Sequence, residues 1–181
     1  MLLRPLEIDG LYEITAPRND DERGFFMRSY DRAAFQKQGL ETHWEQESLS
    51  FNEQKFTIRG LHFQLPPLTE TKIVRVTRGA AMDVALDLRR ESPTFGEHIA
   101  IELSADNGKA VYIPAGFAHG FQTLVENTLL EYKINVAYTT ELSAGVRWND
   151  PSLGIKWHQG EVNTSPRDAG LPLFADLVSP F

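Results

Sequence analysis

The chain has 181 residues and contains no cysteine, which excludes disulfide bonds and thiolate metal sites. Its length suits one domain with a substantial core, so we expect a single domain over residues 1–181. Hydrophobic residues make up 41% of the chain and charged residues 24%, which are ordinary values for a globular protein. The formal net charge of −7 argues against a nucleic-acid-binding surface.

The N-terminal stretch MLLRPLEIDG is too short and too mixed for a secretory signal, and no apolar run is long enough to span a membrane. Repeats, low-complexity tracts and linker-like stretches are absent from the sequence. We therefore expect a cytoplasmic protein with neither a membrane nor a nucleic acid as partner.

In chain order, the first predicted element is a helix over 31–39, with Asp31 as its cap and Gly39 as its end. Segments with alternating apolar residues then predict strands at 71–79, 81–89, 97–104, 109–114 and 128–138. A short helical turn near 173–177 comes last. Short alternating strands separated by turn residues are typical of an antiparallel sandwich or small barrel. The predicted fold is all-β with a few short peripheral helices.

The longest predicted strand places Tyr132 and Tyr138 on the same face. Alternate side chains of a closed sheet point inward, and a small barrel can hold one ligand there. The two tyrosines are therefore either a layer of the core or part of a ligand cavity.

His62 lies in the apolar segment IRGLHFQLPP (58–67). It is a metal ligand, a general base or a core histidine with satisfied hydrogen bonds. Arg59 and His62 are three positions apart, so a regular strand would point them to opposite faces. Gly60 between them permits a β-bulge that would re-aim one of them.

The segment GKAVYIPAGFAHGF (108–121) has the spacing G-x5-P-x-G-x2-H, which ends at His119 and resembles the second conserved motif of the cupin barrels. Cupins often bind a metal through an H-x-H pair, but Gln64 stands two residues after His62. Two imidazoles without an identifiable carboxylate partner make a poor metal site. We expect no metal.

A series of motifs in fixed order extends this resemblance to nearly the whole chain: DERGFF (21–26), IRGLHFQLPP (58–67), TKIVRV (71–76), DVALDLR (83–89), SPTFG (92–96), IPAGFAHGF (113–121), EYK (131–133), WNDP (148–151) and SPRD (165–168). Together they resemble the dTDP-4-dehydrorhamnose 3,5-epimerase family, a cupin-like group of nucleotide-sugar epimerases. The resemblance implies a cupin-type antiparallel β-sandwich, or jelly roll, and a homodimer in which the N-terminal segment crosses to the neighbour.

The same resemblance implies inversion of C3 and C5 of a dTDP-4-keto-6-deoxyhexose in deoxysugar (rhamnose-type) biosynthesis. The keto group acidifies the protons on the flanking carbons, so the reaction needs a base, an acid and stabilisation of an enolate. By resemblance, His62 is the base, Tyr132 is the acid, and Asp168 accepts a hydrogen bond from His62. Lys72 stabilises the negative charge on the C4 oxygen. Neither a metal nor a redox cofactor is needed.

Substrate-binding residues implied by the resemblance are Arg23, Phe26, Arg28, Gln46, Ser48, Arg59, His119 and Tyr138. The set implied to contact the diphosphate is Arg23, Arg59 and His119, and the forked donors of arginine suit phosphate oxygens. If the N-terminal segment crosses to the neighbour, Arg23 serves the partner's site.

Two positions depart from the family pattern. Arg28 stands where the family commonly has a glutamate near the nucleobase, and Ser48 replaces an amide. Thymine offers an N3–H donor whereas arginine can only donate, so a CDP-linked sugar is an alternative substrate. Inversion of C3 alone is a second alternative, because the same base and acid could act once.

More distant hypotheses also account for parts of the sequence. One is a metal-dependent cupin isomerase or dioxygenase, and another is a sugar-nucleotide binding module without catalysis. The site residues have structural alternatives too: Lys72 as a strand-edge charge, Asp168 as the cap of a turn, and His119 as a core histidine bonded to backbone.

Overall fold

The computed structural model describes residues 1–181 and consists mainly of antiparallel strands. The strands are β1 (Leu2–Pro5), β2 (Tyr12–Thr15), β3 (Arg18–Asp21), β4 (Gly24–Met27), β5 (Gln46–Asn52), β6 (Ile58–Gln64), β7 (Lys72–Arg78), β8 (Ala80–Asp87), β9 (His98–Ser104), β10 (Ala110–Ile113), β11 (Phe117–Thr123), β12 (Thr128–Ile134) and β13 (Ser143–Gly145). The helices are α1 (Arg32–Lys37) and α2 (Pro166–Ala169), with 3-10 turns at Thr140–Leu142 and Phe174–Asp176. The all-β prediction is confirmed.

Two sheets pack against each other to form the sandwich. One has the strand order β1-β2-β10-β7-β12-β5 and the other β13-β6-β11-β8-β9, while β3 and β4 form a separate hairpin. The core between the sheets contains Val74, Val76 and Leu130 from the first sheet and Ala85 and Phe121 from the second. The alternation in the sequence arises because these side chains point inward from a pleated strand.

The outer face of the second sheet is also covered. Val84 and Leu86 of β8 belong to a second apolar cluster, against which the C-terminal side chains Trp157, Phe174 and Phe181 pack. Asp83 alternates along β8 with Ala81 and Ala85 of the core between the sheets, so its side chain points into the sandwich and not toward solvent.

The strand predicted over 128–138 is too long, because β12 ends at Ile134. Ile134 pairs with the first residue of each neighbouring strand, Gln46 on one side and Lys72 on the other. Beyond that point no partner strand remains. Tyr138 therefore lies in the following loop and not on the strand that carries Tyr132.

The predicted helix over 31–39 is confirmed as α1. The Asp31 carboxylate accepts the backbone N–H groups of Ala33 and Ala34, and Gly39 has a φ of +69°. The turn predicted near 173–177 is the second 3-10 segment. No helix is long and apolar enough to cross a membrane.

The helix α2 was missed by the sequence analysis, since four residues are too few to show a periodicity. The sequence features that indicate this helix are single residues at its start. Ser165 caps the helix by accepting the Asp168 N–H, and Pro166 occupies the first helical position, where both residue types are favoured.

A bulge in β6 at Gly60 is confirmed. His62 pairs with His119 and Arg59 pairs with Phe121, so β6 has one more residue than β11 between the two pairs. Gly60 has a φ of +117°, and a Cβ there would lie 2.7 Å from the Gly120 Cα. Only glycine fits this crossing, and the extra residue turns the side chains of Arg59 and His62 to the same cavity.

Candidate active site

A cavity of about 300 Å³ opens between β5 and β12 of one sheet and β6 and β11 of the other. Of the residues singled out in the sequence, it brings together Ser48, Arg59, His62, Lys72, His119, Tyr132 and Tyr138. The remaining ones are Asp168, which lies behind His62, and Gln46, Arg23, Phe26 and Arg28.

His62 and Asp168 form a hydrogen-bonded pair at one wall. The His62 Nε2 lies 2.7 Å from the Asp168 Oδ1, and the Gly60 N–H donates to Oδ2 at 3.2 Å. The Asp168 side chain is 5% exposed and that of His62 is 33% exposed. Burial alone would raise the pKa of Asp168, but the hydrogen bonds and charge of His62 and the Gly60 N–H outweigh it, so the pKa is lowered.

Tyr132 projects from β12, where its neighbours across the ladder are Ser48 and Val74. Its ring lies 6.0 Å from the His119 ring, edge to face. Burial and the negative charge of Asp83 raise the pKa of Tyr132 well above its ordinary value, while Arg59 acts in the opposite direction. The phenol is therefore protonated over the physiological pH range.

His119 is held by a carboxylate and not by backbone, so that structural alternative is wrong. Its Nε2 lies 2.8 Å from the Asp83 Oδ2, and both side chains are buried. The other oxygen of Asp83 has no hydrogen-bond partner. Sequence reasoning missed Asp83 as a site residue, because alternation shows which residues of β8 share a face but not which face points inward.

Lys72 is buried and paired, which contradicts its interpretation as a strand-edge charge. It begins β7, a central strand, and its Nζ donates to the Glu70 carboxylate at 2.6 Å. The two side chains are only 10% and 8% exposed. Glu70 was also missed, because it precedes the strand and has no periodic signal.

Two arginines contribute cations at the more exposed side of the cavity. Arg59 donates to the Asn52 side chain at 2.8 Å, and Arg167 donates to the Ser143 hydroxyl at 2.7 Å. Both arginines are exposed, and their hydrogen-bond partners are neutral. Arg167 was not singled out in the sequence, although it lies within the SPRD motif.

Gln46 supports the cavity indirectly. Its side-chain oxygen accepts the Tyr138 backbone N–H at 2.8 Å, which holds the half-exposed Tyr138 at the wall. Ser48, two residues further along β5, lines the cavity itself.

The structure of one chain does not bring Arg23, Phe26 and Arg28 to the cavity. Arg23 and Phe26 belong to the β3–β4 hairpin, and Arg28 follows it. The three side chains are exposed, with Arg23 bonded to Asp21 at 2.6 Å and Arg28 to Asp31 at 3.4 Å.

No group of three or more histidine, aspartate or glutamate side chains is placed to hold a metal ion. Instead, one ring nitrogen of each cavity histidine is hydrogen-bonded to a carboxylate. The pairs are His62 with Asp168 and His119 with Asp83. An imidazole and a protonated phenol around one cavity can remove a proton from a ligand and return one. This chemistry in a cupin-like sandwich is that of an isomerase.

Comparison with known proteins defines the isomerase further. Residues 5–176 match the model of the dTDP-4-dehydrorhamnose 3,5-epimerase family, and the chain belongs to this family. The dTDP-4-dehydrorhamnose 3,5-epimerase of Sinorhizobium fredii is 38% identical over 182 residues, which cover 100% of this chain and 93% of the relative.

Two other similar proteins bear on substrate and fold. The dTDP-4-dehydrorhamnose 3-epimerase of Streptomyces niveus is 36% identical over 177 residues. The aligned region covers 97% of this chain and 85% of the relative. The crystal structure of dTDP-4-dehydrorhamnose 3,5-epimerase from Elizabethkingia anophelis has a TM-score of 0.92 at 36% identity, covering 97% of both chains.

Proposed function

We propose that this protein inverts C3 and C5 of a dTDP-linked 4-keto-6-deoxyhexose in deoxysugar biosynthesis. The family and the names of its relatives support the substrate class. The observation that carries the proposal is the His62–Asp168 pair in the same cavity as the partly buried Tyr132.

In the first step His62 removes the proton from the carbon beside the keto group. Its Nε2–H donates to Asp168, so Nδ1 carries the lone pair that accepts the proton. The Asp168 carboxylate holds this tautomer and stabilises the imidazolium once it forms.

In the second step Tyr132 returns a proton to the enolate. Its raised pKa keeps the phenol protonated until carbanion character develops in the ligand. Lys72 stabilises the negative charge on the C4 oxygen, and such charge stabilisation is often the largest single contribution to catalysis. An ammonium has three donors, so its bond to Glu70 leaves others for the substrate.

The diphosphate is bound by the exposed cations of the cavity. Arg59 and Arg167 have forked donors and only neutral partners, which suits them to phosphate oxygens. His119, Ser48 and Tyr138 complete the substrate-binding wall, and Gln46 holds Tyr138 in place.

We also propose a homodimer in which the β3–β4 hairpin of each chain reaches the partner's cavity. Two features of the hairpin support this arrangement. Phe25 and Phe26 are 54% and 69% exposed, and clustered exposed aromatics mark interaction surfaces. Arg23 and Arg28 lie away from the cavity of their own chain, and in the dimer they would line the cavity of the partner chain.

Inversion of C3 alone is a second candidate, favoured by the similarity to the Streptomyces niveus 3-epimerase. A CDP-linked sugar stays an alternative as well, since Arg28 can donate to a base but cannot accept from it.

Solvent deuterium incorporation into dTDP- and CDP-4-keto-6-deoxyglucose, followed by NMR, tests the proposal. We expect deuterium at both C3 and C5 of the dTDP sugar. Label at C3 alone would assign the 3-epimerase, and label only in the CDP sugar would reassign the nucleotide. Absence of label from both sugars would overturn the proposed function, and metal analysis of the purified protein would then test the metal-dependent alternative.

A further inference from the structure

The cavity has an uneven distribution of charge. Its cationic residues outside the two histidines are Arg59, Lys72 and Arg167, and its only lining carboxylate is that of Glu70. Glu70 pairs with Lys72 at 2.6 Å. The two arginines have only neutral hydrogen-bond partners, so neither is paired directly with a carboxylate as Lys72 is, although the charge of Arg167 acts on the neighbouring Asp168.

The charge distribution follows depth. Arg59 and Arg167 are exposed, whereas the Lys72 and Glu70 side chains are 10% and 8% exposed. The outer part of the cavity is therefore cationic. The inner part has no excess positive charge, because Glu70 offsets Lys72 and the Asp83 carboxylate that acts on Tyr132 is negative. A diphosphate is attracted to the outer cations, and an uncharged sugar suits the inner end.

The position of Glu70 is fixed by its neighbours. The next residue, Thr71, donates its N–H to the Asn135 side chain at 2.7 Å, and its hydroxyl accepts the Ala115 N–H at 3.2 Å. These bonds fix the backbone next to Glu70, and the ion pair with Lys72 holds the Glu70 carboxylate in place.

We propose that Glu70 determines the direction in which the nucleotide sugar binds. By neutralising Lys72, it prevents the diphosphate from occupying the inner end of the cavity, and the keto sugar enters there instead. Glu70 is thus a positioning residue that acts through Lys72, and this role rests on the proposed function. Lys72 keeps free donors for the C4 oxygen, where negative charge develops only during the reaction.

Titration calorimetry with inorganic pyrophosphate measures this effect without the sugar. Replacing Glu70→Gln exposes the Lys72 charge, so pyrophosphate should bind at least about tenfold more tightly. The matched control is Glu102→Gln, which removes one charge from an exposed residue of β9 and should bind like the wild type. Adding Lys72→Met to Glu70→Gln should abolish the gain, because the two effects depend on each other.

A second variant keeps the test decisive if Glu70→Gln does not fold. The double variant Glu70→Gln/Lys72→Met removes a pair without net charge, so it should bind pyrophosphate within about twofold of the wild type even if the single variant does not fold. A tenfold loss in the double variant, or an unchanged affinity in folded Glu70→Gln, would overturn the proposal. A wild type that fails to label the keto sugar with deuterium would instead refute the proposed function, whatever the pyrophosphate affinities.

Discussion

Neighbouring groups set the protonation of the two side chains to which we assign proton transfer. Asp168 lies 2.7 Å from the His62 Nε2 and fixes which imidazole nitrogen has the free lone pair. Burial, together with the charge of Asp83, raises the pKa of Tyr132 and keeps its proton in place. One carboxylate therefore fixes the tautomer of the base, and another helps to keep the acid protonated.

Replacing His62→Ala should reduce the rate of deuterium incorporation by about 10²- to 10⁴-fold, the usual contribution of a general base. Asp168→Asn should cost less, about 10- to 100-fold, because it disturbs the orientation of His62 but leaves the imidazole. Circular dichroism checks that both variants fold. A His62→Ala protein with a near-normal rate would refute the assigned base.

Tyr132→Phe should separate proton removal from proton return. The change deletes only the phenol oxygen and keeps the ring against His119, so the free energy of unfolding should change by less than about 1.5 kcal/mol. Product formation should fall strongly while exchange at C3 persists, and NMR reports both in one experiment. Unchanged product formation would assign Tyr132 to the core and require another acid.

The sequence predicts catalytic roles for His62, Tyr132, Lys72 and Asp168 only through the ordered motifs of the family. Periodicity alone left each with a structural alternative. Glu70 stayed hidden because its contact with Lys72 depends on side-chain direction in a loop. A contact that depends on side-chain direction in the folded protein leaves no periodic pattern in a single sequence.

Among the structural elements, the β6 bulge has the greatest effect on the site. It places the side chains of Arg59 and His62 in one cavity, although their spacing in a regular strand would separate them. Gly60 makes the bulge possible because β11 crosses it without room for a Cβ.

Gly60→Ala should destabilise the protein more than the replacement of a glycine that also has a positive φ but open space around it. The control is Gly154→Ala, since Gly154 has a φ of +63° and nothing within 4 Å of its Cβ position. The control should lose about 1–2 kcal/mol of unfolding free energy from strain, and Gly60→Ala about 1–3 kcal/mol more from overpacking. Urea denaturation measures both, and equal losses would mean that β11 yields to the added methyl group.

Element prediction succeeded where a local pattern was sufficient. The strands β7 to β10 and the helix α1 follow from alternation and from the Asp31 cap. The end of β12 was misplaced because it depends on where β5 and β7 begin. A strand ends where its partners end, and the residues of the strand itself do not encode that limit.

At the scale of the whole molecule, one chain leaves part of its expected substrate-binding set outside its own cavity. The Arg23 side chain is 84% exposed and lies on the β3–β4 hairpin. In a closed twofold dimer each hairpin would supply the other cavity, so each site would combine residues from both chains.

Mixing two inactive variants tests this arrangement. His62→Ala lacks the base, and Arg23→Met should bind the substrate poorly. When the two are unfolded, mixed in equal amounts and refolded together, heterodimers should contain one intact site each and restore about a quarter of the wild-type activity. If activity stays at the level of the separate variants, the hairpin serves its own chain.

The position of Asp168 along the chain has a consequence for when activity arises. Asp168 lies 106 residues after His62, and the segments on either side of it pack on the outside of a finished sheet. Contacts between such distant residues form late, because the loop they close is costly until the intervening structure exists. On the ribosome, the strand with His62 emerges long before its carboxylate. The newly made sandwich should therefore react about 10- to 100-fold more slowly, as expected for Asp168→Asn, until the last segment docks.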